Sequence, residues 1–254
     1  MVENGNKKLQ KESYSENFPL PFFSVIITTF NRAALLQRAL DSLIGQTETD
    51  WEAIIVDDGS TDNTADAVQH YLNTHGNIKY IYQKNSGYSG AKNTGIFLSK
   101  GKYITFLDSD DEYDPLHLQT KKEILENNPE VQFLHGGIKV IGSQYVPDRF
   151  DYNKMVPLTD CEIGGTFFIK RQTAIFFNGF KDLPLGSDGD FFERIQKNGV
   201  KIMQTRIPTY IYHRDNADSI TNNLMPDSEK FPEIPDANKK LKSKYYENQN
   251  QKSV

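Results

Sequence analysis

Between Ser24 and Leu107, four short apolar runs alternate with three stretches of helical spacing, and this alternation leaves few folds open. Ser24 to Thr29 (SVIITT) is β-branched and reads as a buried strand. Glu52 to Asp57, Ile78 to Tyr82 and Lys102 to Leu107 read the same way. Between them, Arg32 to Ile44 sets Ala34, Leu35, Ala39, Leu40, Leu43 and Ile44 at helical spacing. Thr64 to Leu72 and Gly90 to Leu98 are the other two helices. Strands joined by helices predict a right-handed, Rossmann-like, mostly parallel α/β sheet flanked by helices. Such sheets bind ligands at the carboxyl ends of their strands.

After Asp111 the rhythm changes. Pro115 to Asn127 reads as a helix, and Val131 to Ile141 holds two short strand-like pieces. Gly142 to Cys161 lacks periodicity and reads as a loop. A strand at Thr166 to Lys170, helices near Arg171 to Phe177 and Asp190 to Lys197, and strands at Lys201 to Thr205 and Thr209 to Tyr212 follow. The chain of 254 residues is expected to divide into a disordered arm (1–17), one domain (18–224) and a polar tail (225–254). Within the domain, 18–111 is expected to bind a nucleotide and 112–224 to read an acceptor, as a smaller mixed region.

Basic residues number 29 and acidic 34, and they are mixed without a long basic stripe, so nucleic acid is not the expected partner. The single cysteine, Cys161, leaves no internal disulfide and no cysteine metal site. With no membrane-length apolar run and no secretory signal, the expected setting is cytoplasmic. The stretch Lys239 to Lys244 offers peripheral contact with an anionic membrane, the alternative being a solvated tail.

Three strand tips carry chemistry. The run Tyr103-Ile104-Thr105-Phe106-Leu107 leads into Asp108, Asp110 and Asp111. Three carboxylates that close repel unless a cation sits among them, which points to a divalent metal with a phosphorylated ligand. The competing reading is an acidic turn with Asp111 or Asp114 capping the next helix. Asp57 and Asp58 end the second run, and either carboxylate suits a base N–H or a ribose hydroxyl. Thr28 and Phe30, at the first tip, offer a hydroxyl and an aromatic face beside them. Ser60 or Asp62 is expected to cap the following helix. Asn85 to Gly95 is Gly-rich ahead of a helix, an anion-friendly arrangement in which Lys92 adds charge against a diphosphate.

In order, SVIITTFNRAALLQRAL, WEAIIVDDGSTDNT, KNSGYSGAKNTGI and GKYITFLDSDD resemble glycosyltransferase family 2, which has the GT-A fold. The resemblance spans Phe22 to Thr221 and implies an inverting transferase that uses a nucleotide-diphosphate sugar, most often a UDP-sugar, with Mg²⁺ or Mn²⁺. By resemblance, Thr28 and Asp58 contact the base, Asp108 the ribose and Asp110 the metal, with Asp111 in support. LGSDGDFFER matches the family segment that holds the catalytic base, which falls on Asp188, although Ser187 replaces the usual Glu. Asp190 and Glu193 compete for that role, but Glu193 is also placed to pair with Lys197. The alternative for Asp188 is a helix cap. Gly165, in GGTFF, falls where the family lines its acceptor site. Many relatives carry a His where this chain has Asn216, so either the loop is shifted, which makes His213 and Arg214 candidate diphosphate contacts, or His213 has a structural role. The implied acceptor is a saccharide or lipid-linked saccharide in surface polysaccharide or glycolipid assembly.

Two other classes stay open. A metal-dependent nucleotidyltransferase shares the layout but needs a basic, Gly-rich N-terminal loop, and Phe30 to Leu36 has Arg32 alone. A non-catalytic nucleotide-sugar-binding module would have no use for both Asp110 and Asp188.

Overall fold

The computed structural model describes residues 20–151 and 153–215. The expected arm, the polar tail with its basic stretch, and Asn216 lie outside them. The first part follows the expected alternation: β1 (Phe23–Thr29), α1 (Ala33–Ile44), β2 (Trp51–Asp57), α2 (Thr64–Thr74), β3 (Ile78–Tyr82), α3 (Gly87–Leu98) and β4 (Tyr103–Phe106). Next come β5 (Glu112–Tyr113), α4 (His117–Asn127), β6 (Phe133–His135), β7 (Ile138–Gly142), β8 (Tyr145–Pro147) and β9 (Met155–Pro157). The last elements are β10 (Phe168–Lys170), α5 (Arg171–Phe176), α6 (Ser187–Lys197), β11 (Ile202–Gln204) and β12 (Tyr210–Arg214).

The main sheet has the order β11-β6-β10-β4-β1-β2-β3. Strands β1 to β4 are mutually parallel, and β10 enters antiparallel between β4 and β6. Both β1 and β2 are buried at every position, which is why their sequences run apolar instead of alternating. Successive side chains point to opposite faces. Val25, Ile27, Ala53 and Ile55 pack with Leu36, Leu40 and Leu43 of α1, Val68 and Tyr71 of α2, and Leu118 and Leu125 of α4. On the other face Ile26, Ile104, Phe106 and Ile169 pack with Ile96 of α3, Ala174 of α5, and Phe191 and Ile195 of α6. The molecule is thus a three-layer α/β/α sandwich whose strands β1, β2 and β4 end on one rim.

A second sheet, β5-β12-β7, lies next to that rim. Because β5 starts at the residue after Asp111, pairing it with β12 ties the acidic tip to a segment about a hundred residues later. No helix among the described residues is long and apolar enough to cross a membrane.

Three expectations need correction. The segment from Gly142 to Cys161 is not a plain loop: it holds the β8–β9 hairpin and a 3₁₀ turn at Leu158–Asp160. Strands of three residues with prolines at their ends show no period. Helices α3 and α6 begin three residues earlier than their apolar periods do, at Gly87 and Ser187. Helix α4 begins at His117 instead of Pro115, after a turn closed by the His117 amide on the Asp114 carbonyl at 2.8 Å. Asp114 caps that turn through the Leu116 amide at 3.0 Å, so Asp111 is released from the capping role.

Candidate active site

The register of β1 with β2 sets Thr28 opposite Val56 and Thr29 opposite Asp57, so their tips are level. Phe30 is 46% exposed and leaves its ring face open. Asp57 is buried and occupied: it accepts the Ser60 amide at 2.7 Å and the Tyr80 hydroxyl. It therefore shapes the Asp-Asp-Gly turn and is not placed to meet a ligand. Asp58 accepts the Ser86 amide at 2.9 Å and the Gln83 amide nitrogen at 2.7 Å, both on Oδ1. Asp58 Oδ2 takes no part in these bonds, and the Asp58 amide donates to the Thr29 carbonyl at the tip of β1 at 2.9 Å. Asp62, not Ser60, opens α2, accepting the Thr64 amide at 3.0 Å.

The three carboxylates after β4 have different surroundings. Asp108 is partly open and takes the Tyr88 hydroxyl at 3.2 Å on Oδ1, with Lys92 Nζ at 3.5 Å. Asp110 lies 3.1 Å from the Arg32 guanidinium, and Arg38 donates to its carbonyl. Burial raises the pKa of Asp110, the Arg32 charge opposes that rise and Asp108 adds to it. Asp111 is fully buried and inaccessible to a ligand. It accepts the Tyr210 hydroxyl at 2.6 Å and the His213 amide at 2.8 Å. Burial and the neighbouring charges of Asp110 and Asp108 push its carboxyl well above the usual range. Asp111 thus anchors the tip to β12.

A hard divalent cation takes one or two carboxylates and completes its shell with water and phosphate oxygens. Asp110 fits that demand: it is an oxygen donor at a strand tip, crowded by Asp108 and Asp111 and countered mainly by Arg32. Among the described residues no group of three or more His, Cys, Asp or Glu side chains could hold a metal ion by itself. His213 is committed elsewhere, with Nε2 2.6 Å from Glu112. Arg214 is buried against the hairpin, 3.5 Å from the Tyr145 carbonyl.

The opposite wall is α6. Asp188 sits in its first turn and accepts the Gly164 amide at 3.0 Å on Oδ2. Its Oδ1 is buried without a hydrogen-bond partner, 3.8 Å from Lys92 Nζ. Burial raises its pKa against the lowering effect of the Lys92 charge. Asp190 points away into ion pairs with Arg194 at 2.7 Å and Lys181 at 3.0 Å. Glu193 pairs with Lys197, as its spacing predicts, and with Arg149. Neither competitor is positioned like Asp188. The Gly-Gly pair is a matter of space. A Cβ on Gly164 would stand 2.7 Å from the Asp188 carboxyl, and one on Gly165 would stand 2.2 Å from the Tyr210 ring.

Sequence reading passed over Arg32, Arg38, Tyr88, Tyr210 and Glu112. The available signal was Arg32 itself, a basic residue three positions past the end of β1, on the rim where the acidic tips lie.

The family model for glycosyl transferase family 2 matches residues 24–183, well over half of the chain. An uncharacterized glycosyltransferase of Nostoc sp. is 42% identical over 113 residues, covering 44% of this chain and 35% of its own. The UDP-Glc:alpha-D-GlcNAc-diphosphoundecaprenol beta-1,3-glucosyltransferase WfgD of Escherichia coli is 31% identical over 161 residues, covering 60% and 61%. The chain spans 35%, 40% and 28% of the length of curated relatives from Nostoc, Bacillus subtilis and Escherichia coli. Among solved structures, Staphylococcus aureus TarS in complex with UDP-GlcNAc superposes with a TM-score of 0.67 at 23% identity, over 78% of this chain and 60% of that one. A mannosyltransferase of Pyrobaculum calidifontis in complex with GDP-Man and Mn²⁺ gives 0.61 at 20% identity, over 76% and 56%. Those two likenesses establish the GT-A fold. With the family match running from β1 to the approach of α6, the chain belongs to glycosyl transferase family 2.

Proposed function

We propose that the chain is an inverting, metal-dependent transferase that moves a sugar from a nucleotide-diphosphate sugar, a UDP-sugar first of all, to an acceptor hydroxyl. The observation that carries this reading is Asp188. It alone of the acids of α6 has a buried oxygen without a hydrogen-bond partner, and it shares an ammonium with Asp108 across the rim. The nucleoside is read by Thr28, Phe30 and Oδ2 of Asp58, and the ribose by Asp108. Asp110 would hold Mg²⁺ or Mn²⁺, which when bound would supply Lewis-acid stabilisation to the leaving diphosphate.

Asp188 receives the acceptor proton as the acceptor oxygen bonds to the anomeric carbon and the bond from that carbon to the diphosphate oxygen breaks. Attack opposite the leaving group inverts the centre. A positioned base of this kind contributes roughly 10²–10⁴-fold. The base works only when deprotonated, so the rate falls as pH falls through its raised pKa. The names of the WfgD relative and of the TarS complex support a UDP-sugar, and the former supports a lipid-linked saccharide acceptor.

The test is hydrolysis of UDP-glucose, UDP-GlcNAc and GDP-mannose with Mn²⁺ or Mg²⁺, with chelator as control. Turnover that requires metal, and that drops about 100-fold or more in Asp188→Asn with nucleotide binding kept, is expected. Undiminished turnover in that variant removes Asp188 as base. Binding without turnover in the wild type favours a non-catalytic module.

A further inference from the structure

Lys92 was expected to meet a diphosphate, yet its side chain is only 1% exposed. An ammonium this buried is costly unless it is paired. Its Nζ lies 3.5 Å from Asp108 Oδ1 and 3.8 Å from Asp188 Oδ1, and it donates to the Tyr88 hydroxyl. Three rings close around it, with centroids at 4.1 Å (Tyr88), 4.9 Å (Phe106) and 5.1 Å (Phe180). These rings come from α3, from β4 and from the segment before α6. The ammonium is therefore fixed in a box whose polar exits are the carboxylate on the donor side and the carboxylate on the acceptor side.

We propose that Lys92 is a positioning residue that joins the two sides of the active site: one buried ammonium sets where Asp108 and Asp188 stand and holds Asp188 as the anion. The proposal rests on the reading of Asp188 as base. Two carboxylates facing each other across a half-buried rim repel, and removing the cation between them both separates them and favours the protonated form.

The groups that face Asp188 are few. Helix α3 brings Lys92 and Tyr88, the end of β4 brings Asp108, and the turn at Gly164 brings an amide. Arg149, from the hairpin segment, is tied to Glu193 instead. Burial and Asp108 act to protonate Asp188, while Lys92 and the amide act to ionise it. Among the described residues Lys92 is the cation beside Asp188, so its removal shifts the balance toward the protonated form. Arginine keeps the charge but not the shape, since a planar guanidinium does not fit a box built around a point charge.

The experiment is a titration of side-chain carboxyl ¹³C signals in protein labelled at aspartate, without substrate, with the Asp188 signal assigned by its loss in Asp188→Asn. Lys92→Met is expected to raise the Asp188 midpoint by about 1 pH unit or more, and Lys92→Arg to leave it near the wild-type value. The acid limb of Mn²⁺-dependent UDP-glucose hydrolysis moves the same way in Lys92→Met. In Lys92→Arg the limb stays and kcat falls. An unmoved midpoint in Lys92→Met overturns the proposal. Should that variant not fold, Lys92→Gln, which reaches the same oxygens uncharged, is read by the same criterion. Hydrolysis surviving in Asp188→Asn sinks the base reading, and it does so whatever the midpoint does.

Discussion

Lys121 is fully buried and, among the described residues, has no carboxylate beside it. Its Nζ donates to Thr209 Oγ1 at 3.0 Å, next to His117, whose Nε2 has no partner. Burial pushes the Lys121 pKa down to about 8. Burial and then the Lys121 charge push His117 well below its ordinary value. The sign for each follows from which state holds the proton. Between pH 8 and the ordinary lysine value near ~10.4, the unfolded chain holds the Lys121 proton and the fold does not, so stability rises with pH there. Below about 6.5 the unfolded chain takes up a His117 proton that the fold refuses, so stability falls with acid. Lys121→Met is expected to stabilise the protein at pH 7 by roughly 1–3 kcal/mol and to flatten the rise between pH 8 and 10. Urea unfolding at pH 7 and pH 9 reads both effects, and equal midpoints for the two proteins at pH 7 would count against this account.

The turn at Gly164–Thr166 is the element on which the acceptor wall depends. It presents an amide to Asp188 and lies against Tyr210, which holds Asp111. Gly164→Ala is expected to displace the Asp188 carboxylate, because the new carbon would stand 2.7 Å from it. A misplacement of about 1 Å costs on the order of 100-fold in rate. Hydrolysis of UDP-glucose should therefore fall far more than the melting temperature does, and a large melting shift with normal turnover would refute the role of the turn. The same elements mark what was legible in the sequence. Strands β1, β2 and β4 were plain because burial on both faces writes an apolar run, and the acids followed directly from their tips. Two-residue β5 and three-residue β8 and β9 write nothing, since their pairing is decided by partners far along the chain. Arg32 reaches Ser109 over 77 positions and Tyr210 reaches Asp111 over 99, so no local pattern announces either contact. Lys92 was visible as a charge, but its neighbours were not.

At the scale of the molecule, each face of the main sheet draws on both ends of the described chain. One core cluster includes Phe22 and Tyr210, and the other includes Ile26 and Ile195. We therefore propose one cooperative domain, with the nucleotide and acceptor sides as regions of it and not as separate folding units. Trp51, the single tryptophan, reports on the first side, while far-ultraviolet circular dichroism reports on every helix. Their urea transitions are expected to coincide, and separate midpoints would divide the domain. The anchoring of Asp111 by Tyr210 and His213, 99 and 102 residues further on, also bears on synthesis. A chain leaving the ribosome carries its acidic tip for about a hundred residues before the groups that hold it have been made. Until β12 emerges, Asp111 lacks the hydroxyl and the amide that hold it, so the competence to bind a donor is expected to arrive in one late step and not by degrees.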